Sequence, residues 1–188
     1  LGLPIVLPPT KIGCPLKEFM MSAAFVPVRP YRVFEDLVLG EFRRSLPRTV
    51  TEAEIVAFAR QWDPQWFHSD AAMARESIFG QVVASGIHTL ALWRQMDHEI
   101  NSDIDFVCGI GWDDLRLKKA VRGGDAIHVT SEIISLTPSA TRKDRGTALT
   151  RYAVINQHGD DAVTFTSINF VYTRAGRDRR AASASASA

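Results

Sequence analysis

One run of residues limits the fold more than any other. From Val82 to Trp93 the chain reads Val-Val-Ala-Ser-Gly-Ile-His-Thr-Leu-Ala-Leu-Trp, with almost no polar face. A helix that is apolar all round is buried in a globular protein, so this run predicts a helix at the centre of the core. Past Trp93 the pattern turns amphipathic (Arg94, Gln95, Asp97, His98, Glu99), which predicts that the far end emerges into water. Everything afterwards reads as strand: Ile104–Lys119, Asp125–Leu136, Thr147–Gln157 and Ala162–Arg174, separated by the turns Arg122-Gly-Gly124 and His158-Gly-Asp-Asp161. Ile127, Val129, Ser131 and Ile133 alternate with Ala126, His128, Thr130 and Glu132, giving one apolar and one mixed face. Strands joined by short turns form an antiparallel sheet, so the class is α+β. The economical packing is a curved antiparallel sheet wrapped around one long central apolar helix. Its exposed edges call for a second copy, a homodimer or higher homo-oligomer, to cover them.

Ahead of the helix, Tyr31–Leu39 reads as a short segment with a turn and Glu41–Val50 as a strand. Thr51-Glu-Ala-Glu54 is a capping-box signature opening a helix with Ile55, Phe58, Ala59 and Trp62 on one face. That helix stops at Asp63-Pro64, because proline biases its predecessor out of the α region. A second short helix, Asp70–Glu76, takes Ser69 or Asp70 as its cap. Residues 1–30 carry six prolines, which predicts an irregular arm with no signal-peptide pattern. Residues 31–174 form a single domain. Residues 175–188, basic and then Ala/Ser-rich, predict a disordered tail.

A formal net charge of +1 provides no general attraction for nucleic acid or an acidic membrane surface. No run of 18 apolar residues is present, so no membrane-spanning helix is expected. Cys14 and Cys108, the two cysteines, make neither a disulfide framework nor a zinc site and fit a reducing cytoplasm. No His/Asp/Glu spacing resembles a metal site and no Gly-rich phosphate loop occurs, so neither metal nor cofactor is expected.

The chemistry-bearing residues cluster just before and inside the central run. Asp63 and His68 stand five positions apart in a Pro- and aromatic-rich loop, and Gly86 follows eighteen residues after His68. A carboxylate, an imidazole and a bare backbone N–H at a helix start are the parts for acid–base chemistry on a carbonyl compound. Bland readings also exist: Asp63 as a helix stop, His68 as a loop histidine, Gly86 as a close-packing residue. Ser85 is either a helix cap or a polar pocket contact. His88 reads as a hydrogen-bonded core or tunnel residue, and His98, His128 and His158 as solvated. Arg116, Lys118, Lys119 and Arg122 could meet phosphates of a carrier, with a solvated sheet edge as the simpler reading.

The order and identity of these segments resemble the MaoC-like hydratase/dehydratase family of the hot-dog fold. Its Asp-x-Asn-Pro-x-His signature reads here Asp63-Pro64-Gln65-Trp66-Phe67-His68, and its His-Gly or Ser-Gly at the central helix reads Ser85-Gly86. Tyr31–Asp36, Arg48–Glu52, Gly109–Arg116 and Val121–Asp125 also look like the family's usual segments. The resemblance spans roughly Tyr31 to Arg174 and leaves out both tails. It implies a cofactor-free hydro-lyase adding water to trans-2-enoyl thioesters, or removing it from (R)-3-hydroxyacyl thioesters, with an acyl-CoA-type small molecule as substrate. It further implies Asp63 and His68 as the catalytic pair, Gly86 N–H as donor to the thioester oxygen, and Ser85 and Gln65 as substrate-side contacts. Two positions depart from the pattern: the family's Asn is Gln65 and its Pro is Trp66. The competing readings are a hot-dog acyl-CoA thioesterase and a non-catalytic acyl-thioester-binding subunit.

Overall fold

The computed structural model describes residues 29–186, and the expected N-terminal arm lies outside them apart from its last two residues. A 3-10 turn at Phe34–Asp36 leads into two short strands, β1 (Phe42–Arg44) and β2 (Arg48–Thr49). The single strand expected over 41–50 is therefore broken, at Ser45-Leu46-Pro47, where proline cannot donate to a ladder. Helix α1 (Glu52–Trp62) follows, with Thr51 Oγ1 accepting from the Glu54 N–H at 3.2 Å. Two four-residue helices, α2 (Trp66–Ser69) and α3 (Ala71–Ala74), lead to α4 (Gly86–Asn101). Asp70 is the cap of α3, accepting from the N–H groups of Ala72 and Met73.

The long strands β3 (Phe106–Leu117), β4 (Ala126–Pro138), β5 (Arg145–Ile155) and β6 (Asp161–Tyr172) complete an antiparallel sheet of order β1-β4-β5-β6-β3, with β2 also on β4. Register runs through pairs such as Ser131 with Tyr152 and Thr150 with Ser167. The α+β class and the helix-in-sheet arrangement agree with the sequence reading. Helix α4 lies on the inner face, where Leu92, Trp93 and Met96 pack with Val129, Tyr152, Val154, Val163 and Phe165. A smaller apolar cluster of Leu37, Ile104, Ile133, Ala148 and Val171 lies beyond it. Gly146 admits that cluster's Phe34, because a Cβ there would lie 2.4 Å from the Phe34 ring.

Four expectations need correction. The helix leaves out the first residues of the apolar run and starts at Gly86, where the Ser85-Gly86 pair puts a helix start, because the Ala84 N–H donates to Val121 O at 2.8 Å and holds Val82–Ala84 extended. The helix is not buried all round: Ile87 is 59% exposed and faces a cavity under β3. Nor does its far end simply enter water, since Asp97 and Asn101 are buried in a polar network. Finally, the tail expected to be disordered contains helix α5 (Arg174–Ala186). Ala and Arg are strong helix formers, and three arginines pin it: Arg174 to Asp36 at 2.7 Å, Arg177 to the Tyr31 carbonyl at 3.0 Å, and Arg180 to both oxygens of Asp105 at 3.1 and 2.7 Å.

The Asp105 side chain is only 2% exposed, and losing its partner would leave a buried carboxylate unpaired. Arg180→Met should therefore cost about 1–3 kcal/mol in urea unfolding, while Arg179→Met at an exposed position should stay within about 0.5 kcal/mol of the parent.

Candidate active site

The loop from Asp63 to Asp70 is rigid because its backbone groups are satisfied locally. Asp63 closes α1, its N–H donating to Ala59 O at 2.9 Å. The Gln65 carbonyl then accepts from the N–H groups of His68 (2.9 Å) and Ser69 (3.1 Å) and from Ser69 Oγ (2.9 Å). The Gln65 side chain does not cap α2. It turns back, and its Nε2 donates to Asp63 Oδ1 at 3.3 Å. Lengthening the family's Asn to Gln thus keeps an amide on the carboxylate. Trp66, 41% exposed, packs edge-on against Phe67, whose own ring meets Phe79 and His68.

His68 is buried, and its Nδ1 lies 2.6 Å from the Val83 carbonyl oxygen. A carbonyl only accepts, so Nδ1 carries a proton, and Nε2 is the nitrogen that is bare in the neutral form of the ring. That Nε2 lies 3.9 Å from Asp63 Oδ2. The gap is too long for a direct hydrogen bond and short enough for one water to touch both groups. Gln65 occupies the other carboxylate oxygen, so Oδ2 is the one turned to the histidine.

The bond to Val83 also ties the ring to the chain three residues before Gly86. Ser85 is the cap of α4, its Oγ accepting from the His88 N–H at 3.2 Å. The helix-cap reading of Ser85 is thereby met, and its hydroxyl keeps a proton to donate. Gly86 is the first helical residue, and its N–H donates to no group among the described residues. Such an N–H, backed by the positive end of a 16-residue helix, is suited to an anionic oxygen. A Cβ on Gly86 would come 2.5 Å from Leu117 Cδ1, so the β3 side chain lies directly over this residue.

The remaining sequence candidates fall into place around this centre. His88 is 3% exposed and stacks on Phe58 at 4.4 Å, and its Nδ1 has no hydrogen-bond partner among the described residues. Burial first, then the charges of Arg48 and His68, push it down to about 4. Lys118 and Lys119 pair on the surface with Asp161 and Asp160, and Arg116 with Asp114. Among the described residues no cluster of three metal-ligating side chains occurs, and no helix is long and apolar enough to cross a membrane. Sequence reasoning missed the Val83 carbonyl, which orients His68. It also missed the buried set of Asp97, Asn101, Tyr152 and Ser131, whose only hint is the i, i+4 spacing of Asp97 and Asn101 on an otherwise apolar helix.

The model of the MaoC like domain matches residues 34–168, a span holding both the loop and the start of α4. The chain belongs to the MaoC-like family. A crystal structure of the MaoC-like dehydratase from Rhodospirillum rubrum is 33% identical, with a TM-score of 0.70 over 77% of this chain and 99% of that one. The 3-hydroxyacyl-thioester dehydratase Z of Mycobacterium tuberculosis is 29% identical over 91 residues, 47% of this chain and 60% of that protein's length. A Mycobacterium tuberculosis protein described as a double hot-dog fold superposes with a TM-score of 0.64 at 15% identity, over 76% of this chain and 44% of that one. The last likeness is one of fold, and the MaoC-like sheet-and-helix arrangement here is a hot-dog fold.

A histidine held at about 4 in the fold, against an ordinary 6.5, favours the folded state fully above pH 6.5. As pH falls through that window the unfolded chain takes up the proton first, so the contribution is lost towards pH 4. Unfolding free energy should drop by roughly 2–3 kcal/mol across the window on account of His88. His88→Gln, measured by urea unfolding at several pH values, should have a flatter profile.

Proposed function

We propose that this MaoC-like chain is a hydro-lyase interconverting trans-2-enoyl and (R)-3-hydroxyacyl thioesters, with the thioester carried on coenzyme A. The observation that supports this most is the His68 Nδ1–Val83 contact of 2.6 Å, which makes Nε2 the basic nitrogen of the neutral ring and turns it towards Asp63 Oδ2. The family membership and the likeness to a 3-hydroxyacyl-thioester dehydratase favour the same chemistry.

In the hydration direction a water between the two groups is polarised by both. His68 Nε2 takes one of its protons as the oxygen attacks C3, and the Asp63 carboxylate accepts a hydrogen bond from the other and stabilises the imidazolium. Electrons from the C2–C3 double bond move onto the thioester oxygen, where the Gly86 N–H and the helix dipole meet the developing charge. The imidazolium then returns its proton to C2, so one water is added and His68 ends as it began. Dehydration is the reverse. Gln65 holds Asp63 by its free oxygen and acts as a positioning residue.

The functional unit is a homodimer joined through β3. That strand is at the sheet edge, and Ile110, Trp112 and Leu117 on it are 51%, 47% and 59% exposed. A long apolar edge is a template for pairing, and a second copy offers the same edge.

Loss of absorbance of a short enoyl-CoA reads hydration directly. Asp63→Asn and His68→Gln should each lower kcat by about 10²–10⁴. Gly86→Pro isolates the N–H: proline is favoured at the first helical position, and Ser85 with ψ 158 already has the conformation that precedes proline. It should fold, since only the mobile end of Leu117 must shift, and lose about 10²–10³ in kcat. Wild-type protein without hydration across a range of chain lengths would overturn the reading. For the assembly, Ile110→Lys should move the protein from dimer to monomer mass in light scattering.

A further inference from the structure

A polar band crosses the face of the sheet that a hot-dog core would leave apolar. On β4 the inward residues run Ile127, Val129, Ser131, Ile133; on β5 Val154, Tyr152, Thr150, Ala148; on β6 Val163, Phe165, Ser167, Asn169, Val171. Over neighbouring rungs the apolar pattern is interrupted obliquely, with Ser131 opposite Tyr152, Thr150 opposite Ser167 and Asn169 two residues further along β6, and Ser131, Thr150, Ser167 and Asn169 are all buried. The band separates the two apolar clusters. From above, helix α4 lowers Asp97 and Asn101 onto it. Asn101 Nδ2 donates to Asp97 Oδ1 at 2.7 Å, to Ser131 Oγ at 3.2 Å and to the Tyr152 hydroxyl at 3.4 Å.

Buried polar groups cost free energy unless each finds a partner. One end of the band is satisfied internally and the other is not. Ser167 Oγ donates to Asn169 Oδ1 at 3.2 Å, but Asn169 Nδ2 donates to nothing among the described residues, and the buried Trp93 Nε1 has no acceptor. This open end faces a cavity of about 790 Å³, whose wall includes Tyr152, Ser167 and Asn169. That volume falls in the usual range of small-molecule sites. The opposite wall is one stripe of α4: Ile87, Leu90, Ala91 and Arg94. The stripe begins one residue past Gly86 and runs two helical turns, about 10 Å at ~1.5 Å per residue.

We propose that this cavity receives the acyl chain of the thioester, and that the open end of the polar band binds an uncharged oxygen, keto or hydroxyl, carried on that chain beyond the reacting carbons. The proposal rests on the thioester reading above and narrows its substrate class to oxygenated acyl groups. An acceptor oxygen is what the unpartnered amide of Asn169 lacks. An uncharged one fits because Arg94, the cation on the wall, is already neutralised by Asp97 at 2.6 Å. The Tyr152 phenol stays protonated, since burial and then Asp97 raise it well above its ordinary value of 10. A plain alkyl chain would fill the apolar stripe and leave the amide unsatisfied.

The test uses saturated acyl-CoA thioesters, which cannot be hydrated, so that binding is judged apart from turnover. Octanoyl-CoA is compared by calorimetry with analogues carrying one oxo group at successive carbons beyond C4, and with the ω-carboxylate. At least one oxo analogue should bind about 10-fold or more tightly than octanoyl-CoA. In Asn169→Leu the oxo analogue should bind no more tightly than octanoyl-CoA binds the same variant, and Ser167→Ala, a smaller change, should reduce the advantage. Octanoyl-CoA binding as tightly as every oxo analogue, the carboxylate binding tightest, an advantage unchanged in both variants, or no thioester binding would each overturn the proposal. A kept oxo preference without turnover of the matching enoyl thioester would instead overturn the hydratase reading and leave the subsite standing.

Discussion

The Ala84 N–H donates to the Val121 carbonyl at 2.8 Å, and this contact, with the Val83–Arg122 bridge, holds Val82–Ala84 extended until Ser85 can cap a helix. Much of the rest follows from that switch. It exposes the Val83 carbonyl to His68, puts the first free N–H of α4 at Gly86, and sets the rotation of the helix above the sheet. Had the helix begun at Val82, Val83 O would have been spent within it and His68 would have no fixed tautomer. The histidine, the helix terminus and the cavity stripe are therefore consequences of one local change in backbone conformation.

Two kinds of order meet at the site. The loop Asp63–Asp70 is self-supporting, since Gln65, Ser69 and Asp70 satisfy its backbone. The helix start is supported from outside, by β-structure around Val121 and by Leu117 lying over Gly86. Joining a stiff loop to a stiff helix through His68 and Val83, with the Gln65 amide on Asp63, holds the pair in place, which suits a proton relay. Helix α5 has a related role at the other end of the domain, where its arginines fasten the segment around Tyr31–Asp36 to the sheet and neutralise the buried Asp105.

The core of this MaoC-like domain is not uniform. Trp93 meets Trp112, Tyr152 and Phe165 edge-on at 5.6, 5.1 and 4.7 Å, forming a dense aromatic centre. Immediately beyond it, polar side chains occupy positions that apolar ones could fill. Such a band is costly to bury and restricts which conformations the core accepts. Its open end coincides with a cavity, and this coincidence gives the band a reason beyond packing.

The sequence by itself determined the α+β class, the four long strands, the capped helix from Thr51 and the presence of Asp63, His68 and Gly86 in order, because periodicity, turn residues and caps act over a few residues. The Ala/Arg tail was misread because its helix depends on Asp36, Tyr31 and Asp105, all distant in sequence. Tertiary structure alone made Val82–Ala84 extended, since they are as compatible with helix as with an extended segment until Val121 binds one of them, whereas the helix start at Gly86 is legible in the Ser85-Gly86 pair. It alone decided the tautomer of His68, which depends on a carbonyl fifteen residues away. It alone turned Asp97 and Asn101 inward, because an i, i+4 polar pair looks the same facing water as facing a sheet whose inward residues include Ser131 and Tyr152. Local patterns specify elements; which hydrogen-bonding groups meet across elements depends on three-dimensional packing.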